Sequence, residues 1–168
     1  MYNILWMLLV VVVVLVFMNR SDSELRRALE ENREFHIRID GRYTATVNLQ
    51  TLLDLEPEEF TTPFATSVTA PRDTTLKGVE LRLLLAAHGI DVSSAAHVVA
   101  SGLDGYYSPV SVDDVLKEGV VYICYSMDGE IMKTQSEGGV GPFMMVIRGA
   151  RFAQRWCKYV EAIDLISS

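Results

Sequence analysis

The chain has 168 residues, 49% of them hydrophobic, and its 15 basic and 22 acidic side chains give a net charge of −7. This acidic balance argues against general nucleic-acid binding, so no nucleic-acid partner is expected. Two cysteines are too few for a disulfide framework or for a structural zinc site with three or four thiolates. The length is sufficient for one domain with a complete hydrophobic core.

The first 19 residues contain no charged side chain, and residues 4–18 read ILWMLLVVVVVLVFM. As a helix, this run approaches the thickness of a bilayer's hydrocarbon core, so residues 1–19 are predicted to be an uncleaved, single-pass transmembrane anchor. A signal peptide is the alternative, but no basic residue precedes the run and no small-x-small cleavage site follows it. A membrane is therefore the first predicted partner.

Residues 20–34 are predicted to form a juxtamembrane helical spacer. Ser21 and Glu24 stand at capping-box spacing, and Leu25, Ala28 and Leu29 form a narrow apolar stripe. Because the other positions are mostly polar, we interpret this helix as solvated. The domain proper is predicted at residues 35–168.

Within the domain, the hydrophobic period predicts strands interspersed with a few short helices. A hairpin is predicted at 35–49, turning at Asp40 and Gly41. It is followed by a short helix or turn at 51–60, a loop at 61–75, a helix at 76–88, strands at 97–101 and 106–110, a helix at 111–117, a central strand at 120–126, and strands at 143–148 and 156–165. Because strands and helices do not alternate regularly, the expected fold class is α+β with a mixed sheet.

No single cluster of residues identifies a reaction. The three histidines are far apart in sequence, and Cys124 and Cys157 stand in predicted strands, where thiols are usually core residues. The glycines at 138, 139 and 141 are interpreted as a tight turn, since the lysine and helix of a P-loop are missing. Four cations between 148 and 158 without an intervening acid form either an anion-binding or lipid-facing patch or a solvated face.

Five short motifs, taken in order, resemble the molybdopterin-binding domain of the sulfite oxidase family. They are LKGVELRLLL at 76–85, DGY at 104–106, MDGE at 127–130, GGVGP at 138–142 and KYVEAI at 158–163. The corresponding family pattern is a "GVpL..LL" helix, a "DGY" turn, an "nGe.L" turn, a "GGPlRl" loop and a "VKWv..I" strand. The resemblance implies a sulfite-oxidase-type mixed sheet over nearly all of the domain.

The resemblance also implies a pterin pocket between residues 61–75, the turn at 104–106 and the glycine loop. The family binds molybdenum through a cysteine placed before the "GVpL" helix, but residues 61–75 contain none, and Thr66 or Ser67 stands near that place. A hydroxyl is a poor substitute for a soft thiolate. The pocket residues implied by the resemblance are Thr66, Ser67, Arg72, Asp104, Gly105, Tyr106, Tyr107 and Lys158, with no catalytic residue and no metal ligand.

These observations predict a membrane-anchored binding module that has lost its metal ligand and holds no cofactor. Its ligand would be an unidentified small molecule or a membrane protein. Two alternatives remain: a molybdopterin-dependent oxidoreductase that keeps a molybdenum or tungsten pterin, and an accessory subunit of a membrane complex. Arg20, Arg26 and Arg27 after the anchor favour a cytoplasmic domain. Family members with one N-terminal segment are usually exported, and we expect the domain outside the cytoplasm.

Overall fold

A computed structural model describes residues 2–66, 69–149 and 155–167. Its helices are α1 (Tyr2–Asn32), α2 (Leu49–Leu53), α3 (Leu81–Ala87) and α4 (Val112–Leu116), with a short 3-10 turn at Val92–Ser94. Its strands are β1 (Glu34–Ile39), β2 (Arg42–Asn48), β3 (Glu58–Thr66), β4 (Thr69–Glu80), β5 (Ala95–Gly102), β6 (Tyr107–Val110), β7 (Val121–Met127), β8 (Glu130–Ile131), β9 (Met144–Ile147) and β10 (Val160–Ser167).

The strands form two sheets. The first sheet has the order β2-β1-β10-β5-β6. Strand β1 runs parallel to β10, and all the other strand pairs of this sheet are antiparallel. The second has the order β3-β4-β7-β8, with β9 also paired to β7. The α+β class with a mixed sheet is thus confirmed, and the strands are divided between two sheets.

Strand β7 is the centre of the second sheet, as its sequence predicts. The segment from Val121 to Ser126 is buried at every position, because β4 and β9 flank the strand and other core residues cover its faces. The predicted hairpin at β1 and β2 is also present. Its turn has positive φ at Asp40 (51°) and Gly41 (74°), the geometry that a two-residue hairpin connection requires.

The prediction of a loop at residues 61–75 is wrong. Strands β3 and β4 form a long hairpin there, paired from Glu58 opposite Gly78 to Thr66 opposite Thr69. Its many β-branched threonines favour extended backbone, and this preference prevails over the two prolines. Pro63 lies on an edge strand, and Pro71 lies where β4 has not yet begun its pairing with β7 at Leu76. Neither proline therefore removes a backbone hydrogen bond from the centre of the sheet.

The helix predicted at residues 76–88 is only partly correct, because the first part of this segment is a strand. Strand β4 continues to Glu80, and α3 begins only at Leu81. The wide apolar surface of this segment is therefore explained by a buried strand followed by a buried helix. At Gly78 a side chain would collide with the backbone of Ile123 and Cys124 on β7, so the close strand pairing requires glycine.

One hydrophobic cluster joins the two sheets, α2, α3 and α4. Phe35 of β1 and Phe143 before β9 meet edge to face in it, with ring centroids 5.2 Å apart. Within the described residues, no helix has both the length and the hydropathy needed to cross a membrane.

Candidate functional site

The segment from Trp156 to Val160 brings two of the predicted loops together. Leu103 N donates to Tyr159 O at 2.8 Å, which attaches the turn at 103–106 to the segment. Tyr159 N in turn donates to Val140 O at 3.1 Å, which attaches the glycine loop. The predicted neighbourhood of the DGY turn and the glycine loop is therefore present, with Tyr159 between them.

The β3–β4 hairpin reaches the same segment through aromatic side chains. Phe64 stacks on Trp156 with ring centroids 5.8 Å apart and planes 18° apart. Lys158 Nζ lies 5.3 Å from the Phe64 ring centre, within cation–π range. Both rings are 6% exposed, so Phe64 and Trp156 fill the space between the hairpin and this segment.

Several predicted site residues lie at this junction. Asp104 Oδ accepts from Tyr106 N at 3.1 Å, and Gly105 turns the chain with φ +82°. A side chain at Gly102 would collide with Asp104 and with Lys158 O, which shows how closely the turn approaches the segment. Tyr106 is 41% exposed at the surface. The structure thus places Asp104, Gly105, Tyr106 and Lys158 together, although their role in binding stays a prediction.

The remaining predicted residues are distributed elsewhere. Arg72 pairs with Asp128 of the β7–β8 turn at 2.9 Å. Tyr107 lines a separate cleft of about 570 Å³ beside α1, together with His36 and Arg38. Thr66 ends β3, where only its backbone is described, and Ser67 lies outside the described residues.

The C-terminal end of α1 attaches to both loops. Arg26 Nη1 donates to Leu103 O at 3.0 Å, and Glu30 accepts from Ser136 N at 2.9 Å. Arg33 Nη1 donates to Met132 O at 3.0 Å, and Leu29 is only 3% exposed. The solvated-spacer interpretation therefore fails for the last two turns of α1, because these turns pack against the domain.

The donor set does not fit a molybdenum bound through cysteine. Cys124 in β7 and Cys157 beside the Phe64 stack are each 0% exposed. Burial raises the pKa of both thiols, that of Cys157 to about 12 with a further contribution from nearby Asp104. Since the thiolate is the form that binds metal, neither cysteine replaces the one missing from the hairpin.

The residues described also give little support to a phosphate cradle at the glycine loop. The amides of Gly138, Gly139 and Gly141 donate to the carbonyls of Gln135, Thr134 and Lys133, so the loop is the tight turn predicted. A cleft of about 370 Å³ opens between this loop and the β7–β8 turn. In the parts of the chain that the structure describes, no group of three or more His, Cys, Asp and Glu side chains is placed to hold a metal ion.

The predicted cationic patch is divided among carboxylates. Arg148 pairs with Glu58 at 3.0 Å and Arg155 with Asp114 at 4.0 Å, while Arg151 lies outside the described residues. Lys158 lies against the Phe64 ring. The described members therefore do not form a continuous field for an anion.

Sequence reasoning missed the residues that join the site together. Phe64 and Trp156 carry the contact between hairpin and closing segment, and Arg26, Glu30 and Arg33 carry the contact with α1. The available signal for the first contact was weak, since only Phe64 lies in the Thr-rich segment and Trp156 is distant in sequence. The i, i+4 spacing of Arg26 and Glu30 on α1 was the signal for the second.

Comparisons with known proteins place this geometry in a family. The model of the "oxidoreductase molybdopterin binding domain" family matches residues 26–168. No curated protein matches the chain. A solved structure, the sulfane dehydrogenase SoxCD from Paracoccus pantotrophus, is similar with a TM-score of 0.62 and 16% identity over 80% of this chain. The match spans only 38% of the SoxCD chain, and at this identity it shows the fold alone.

These comparisons bear on the predicted function. They support the oxidoreductase alternative more directly than the binding-module interpretation, and they give no support to the expectation that no cofactor is bound, since the family is one that binds molybdopterin. The family match begins at residue 26, so it includes the part of α1 that packs against the domain. By sequence, by fold and by the arrangement of its five motifs, the chain belongs to the oxidoreductase molybdopterin-binding domain family.

Proposed function

We propose that this chain is a membrane-attached binding module on the molybdopterin-domain scaffold, in which no protein thiolate holds a metal. The observation that carries the proposal is the β3–β4 hairpin. Residues 61–75, where the resemblance places the family's metal-binding cysteine, contain no cysteine. They pair as two antiparallel strands up to Thr66 and Thr69. Serine and threonine oxygens are hard donors, poorly matched to a metal that the family binds through sulfur.

The surroundings of the hairpin support the same proposal. The aromatic stack of Phe64 on Trp156 fills the side of the hairpin that faces the closing segment. Exposed surface remains at Tyr106, the last residue of the turn at 104–106. An aromatic face next to backbone polar groups is suited to binding an organic ring by stacking and hydrogen bonds.

The second candidate is a molybdopterin-dependent oxidoreductase in which an oxygen, that of Ser67, replaces the sulfur ligand. The family match over residues 26–168 favours it. When bound, a metal pterin would supply oxygen-transfer or electron-transfer chemistry that the side chains of this chain do not supply by themselves.

The pterin content of the purified protein distinguishes the two candidate functions. The full chain is purified from its native host, and the pterin released by denaturation is measured by fluorescence for the wild type and for Ser67→Ala. The binding-module proposal predicts equal pterin content in the two proteins, whether high or zero, because Ser67 holds no metal. A pterin content that falls severalfold in Ser67→Ala would contradict it and support the second candidate.

Membrane attachment is a separate part of the proposal. It is supported by the N-terminal half of α1, where every side chain from Trp6 to Val16 is at least 49% exposed although all are hydrophobic. Such a surface is unfavourable in water and favourable in a lipid environment. We propose that this segment attaches the chain to a membrane and that the domain lies on the extracytoplasmic side.

Membrane preparations test both statements. The wild-type chain is expected to stay with membranes washed at high salt and at high pH, because its attachment is hydrophobic. Protease added to intact cells whose outer layers have been opened should then digest the domain. Release of the chain by washing would contradict the attachment, and complete protection of the domain would contradict its extracytoplasmic position.

A further inference from the structure

A cleft lies between α1 and the outer face of the first sheet. Its volume is about 570 Å³, and its lining includes Leu25 and Arg26 of α1, Arg38 of β1 and Glu161 of β10. Two tyrosines, Tyr43 and Tyr107, stand at its border and are each 63% exposed. Of these residues, Arg26 also contacts the junction around Tyr159, through its hydrogen bond to Leu103 O.

Two guanidinium groups flank the one carboxylate of the lining. Arg26 Nε lies 3.7 Å and Arg38 Nη2 lies 3.4 Å from the oxygens of Glu161, which is 9% exposed. Arg38 also has Asp164 at 3.9 Å, beside the cleft. A guanidinium carries five N–H donors, so these contacts do not use all the donors of either arginine.

The cleft is less acidic than the protein as a whole. The charges of Arg26 and Arg38 balance those of Glu161 and the adjacent Asp164, whereas the chain carries −7. His36 adds a ring N–H donor, and its ring meets Tyr43 edge to face at 5.2 Å. This combination of paired guanidinium groups, a ring N–H and two phenol groups is suited to a singly charged phosphodiester.

The position of the cleft indicates the source of that phosphodiester. Leu25 follows Val16 by nine residues on one continuous helix, so the cleft opens about 14 Å along the axis from the exposed apolar run. Leu25, Tyr43 and Tyr107 give the cleft an amphipathic border, which is typical of a membrane–water interface.

We propose that this cleft binds the phosphodiester headgroup of an anionic glycerophospholipid, with Arg26 and Arg38 as the phosphate ligands. The proposal rests on the membrane attachment proposed above. Because Arg26 also donates to Leu103 O, an occupied cleft fixes the residue that holds the turn at 103–106. The lipid is thus a partner of the domain as well as of the anchor.

The test is native mass spectrometry of the full chain in detergent, titrated with phosphatidylglycerol or with phosphatidylcholine. The wild type is expected to retain one phosphatidylglycerol in preference to phosphatidylcholine. Arg38→Gln should weaken this retention about tenfold, the scale of one lost charged hydrogen bond. Arg27→Gln is the matched control, because Arg27 pairs with Glu31 and lies outside the lining, and it should bind as the wild type does.

A second variant keeps the test informative if Arg38→Gln does not fold. Tyr107→Ala leaves all the ion pairs of the cleft in place and should also weaken phosphatidylglycerol retention. Equal retention of the two lipids, an unchanged Tyr107→Ala, or an equal loss in Arg27→Gln would overturn the proposal. Displacement of the lipid by an equal concentration of inorganic phosphate would overturn it in favour of a free-anion site.

The membrane-washing experiment separates this proposal from the attachment on which it rests. A chain that leaves washed membranes contradicts the attachment. A chain that stays in the membrane but shows no preference between the two lipids contradicts only the headgroup cleft.

Discussion

The reactivity of Cys124 and Cys157 depends on how deeply the two thiols are buried. Both are fully buried, and burial raises the pKa of each thiol. Both thiols are therefore expected to stay protonated at pH 8. We expect neither cysteine of the folded protein to react with a thiol reagent at pH 8 and both to react after unfolding. Fast labelling of one cysteine in the folded state would show an available thiolate that the geometry does not provide.

Asp128 links the hairpin to the turn after β7. It accepts from Thr75 N at 3.0 Å and pairs with Arg72 at 2.9 Å, and these contacts, the backbone hydrogen bond first, hold the pKa of its carboxyl below the usual value. A lowered pKa in the folded state means that the stabilisation is present at neutral pH and is lost as the pH falls below about 4.

Asp128→Asn should therefore lower the thermal midpoint at pH 7 and leave it equal to that of the wild type near pH 2. Asparagine keeps an acceptor for Thr75 N and removes only the charge. Asp73→Asn on β4, the strand that carries Arg72 and Thr75, is the control for a change of net charge. A difference between wild type and Asp128→Asn that persists unchanged at pH 2 would show that the charge is not its source.

At the scale of elements, α1 is one helix with two different surroundings. Leu25 is 44% exposed, and Leu29, one turn later, is 3% exposed. Leu29→Ala should lower the thermal midpoint of the full chain by roughly 5 to 10 °C, because it opens a cavity where the helix meets the domain. Leu25→Ala should change it by less than about 2 °C. Equal effects of the two variants would mean that α1 does not pack on the domain as described.

The elements also show what sequence could predict. The β1–β2 hairpin and the central strand β7 were predictable, because alternation, an Asp-Gly turn and a short apolar run are local signals. The β3–β4 hairpin was not, since Pro63 and Pro71 argue against a strand unless the partner on each side is known. The strand end at Glu80 was missed for a similar reason: the apolar spacing of residues 76–87 fits a helix until β7 is seen beside Gly78.

The candidate site, too, was predictable from the sequence only in part. The ordered motifs correctly predicted that the DGY turn and the glycine loop are neighbours, because the resemblance carries that arrangement. They did not predict the stack of Phe64 on Trp156 or the attachment of α1, which depend on contacts between residues distant in sequence. Arg72 was assigned to the pocket because it is the one cation of residues 61–75, and its partner Asp128 lies in the distant β7–β8 turn.

At the scale of the whole molecule, the attachment of α1 predicts where the chain can be shortened. Removing residues 1–19 deletes the whole exposed apolar run from Trp6 to Val16 and keeps Arg26, Leu29, Glu30 and Arg33. This shortened chain should be a soluble, folded monomer by size-exclusion chromatography and circular dichroism. Removing residues 1–33 deletes those contacts as well and should lower the thermal midpoint by at least as much as Leu29→Ala. Aggregation of the first shortened chain would show that the domain needs more of α1 than its last two turns.

The family's chemistry and the residues of this chain give opposite expectations for a metal. The family binds molybdopterin, whereas the hairpin of this chain contains no cysteine and both thiols elsewhere are buried. The most direct measurement is the molybdenum and tungsten content per chain, by inductively coupled plasma mass spectrometry, of the full-length protein purified from its native host. We expect a content far below one atom per chain. One molybdenum or tungsten atom per chain would contradict it and would show that the domain binds the metal without a protein thiolate.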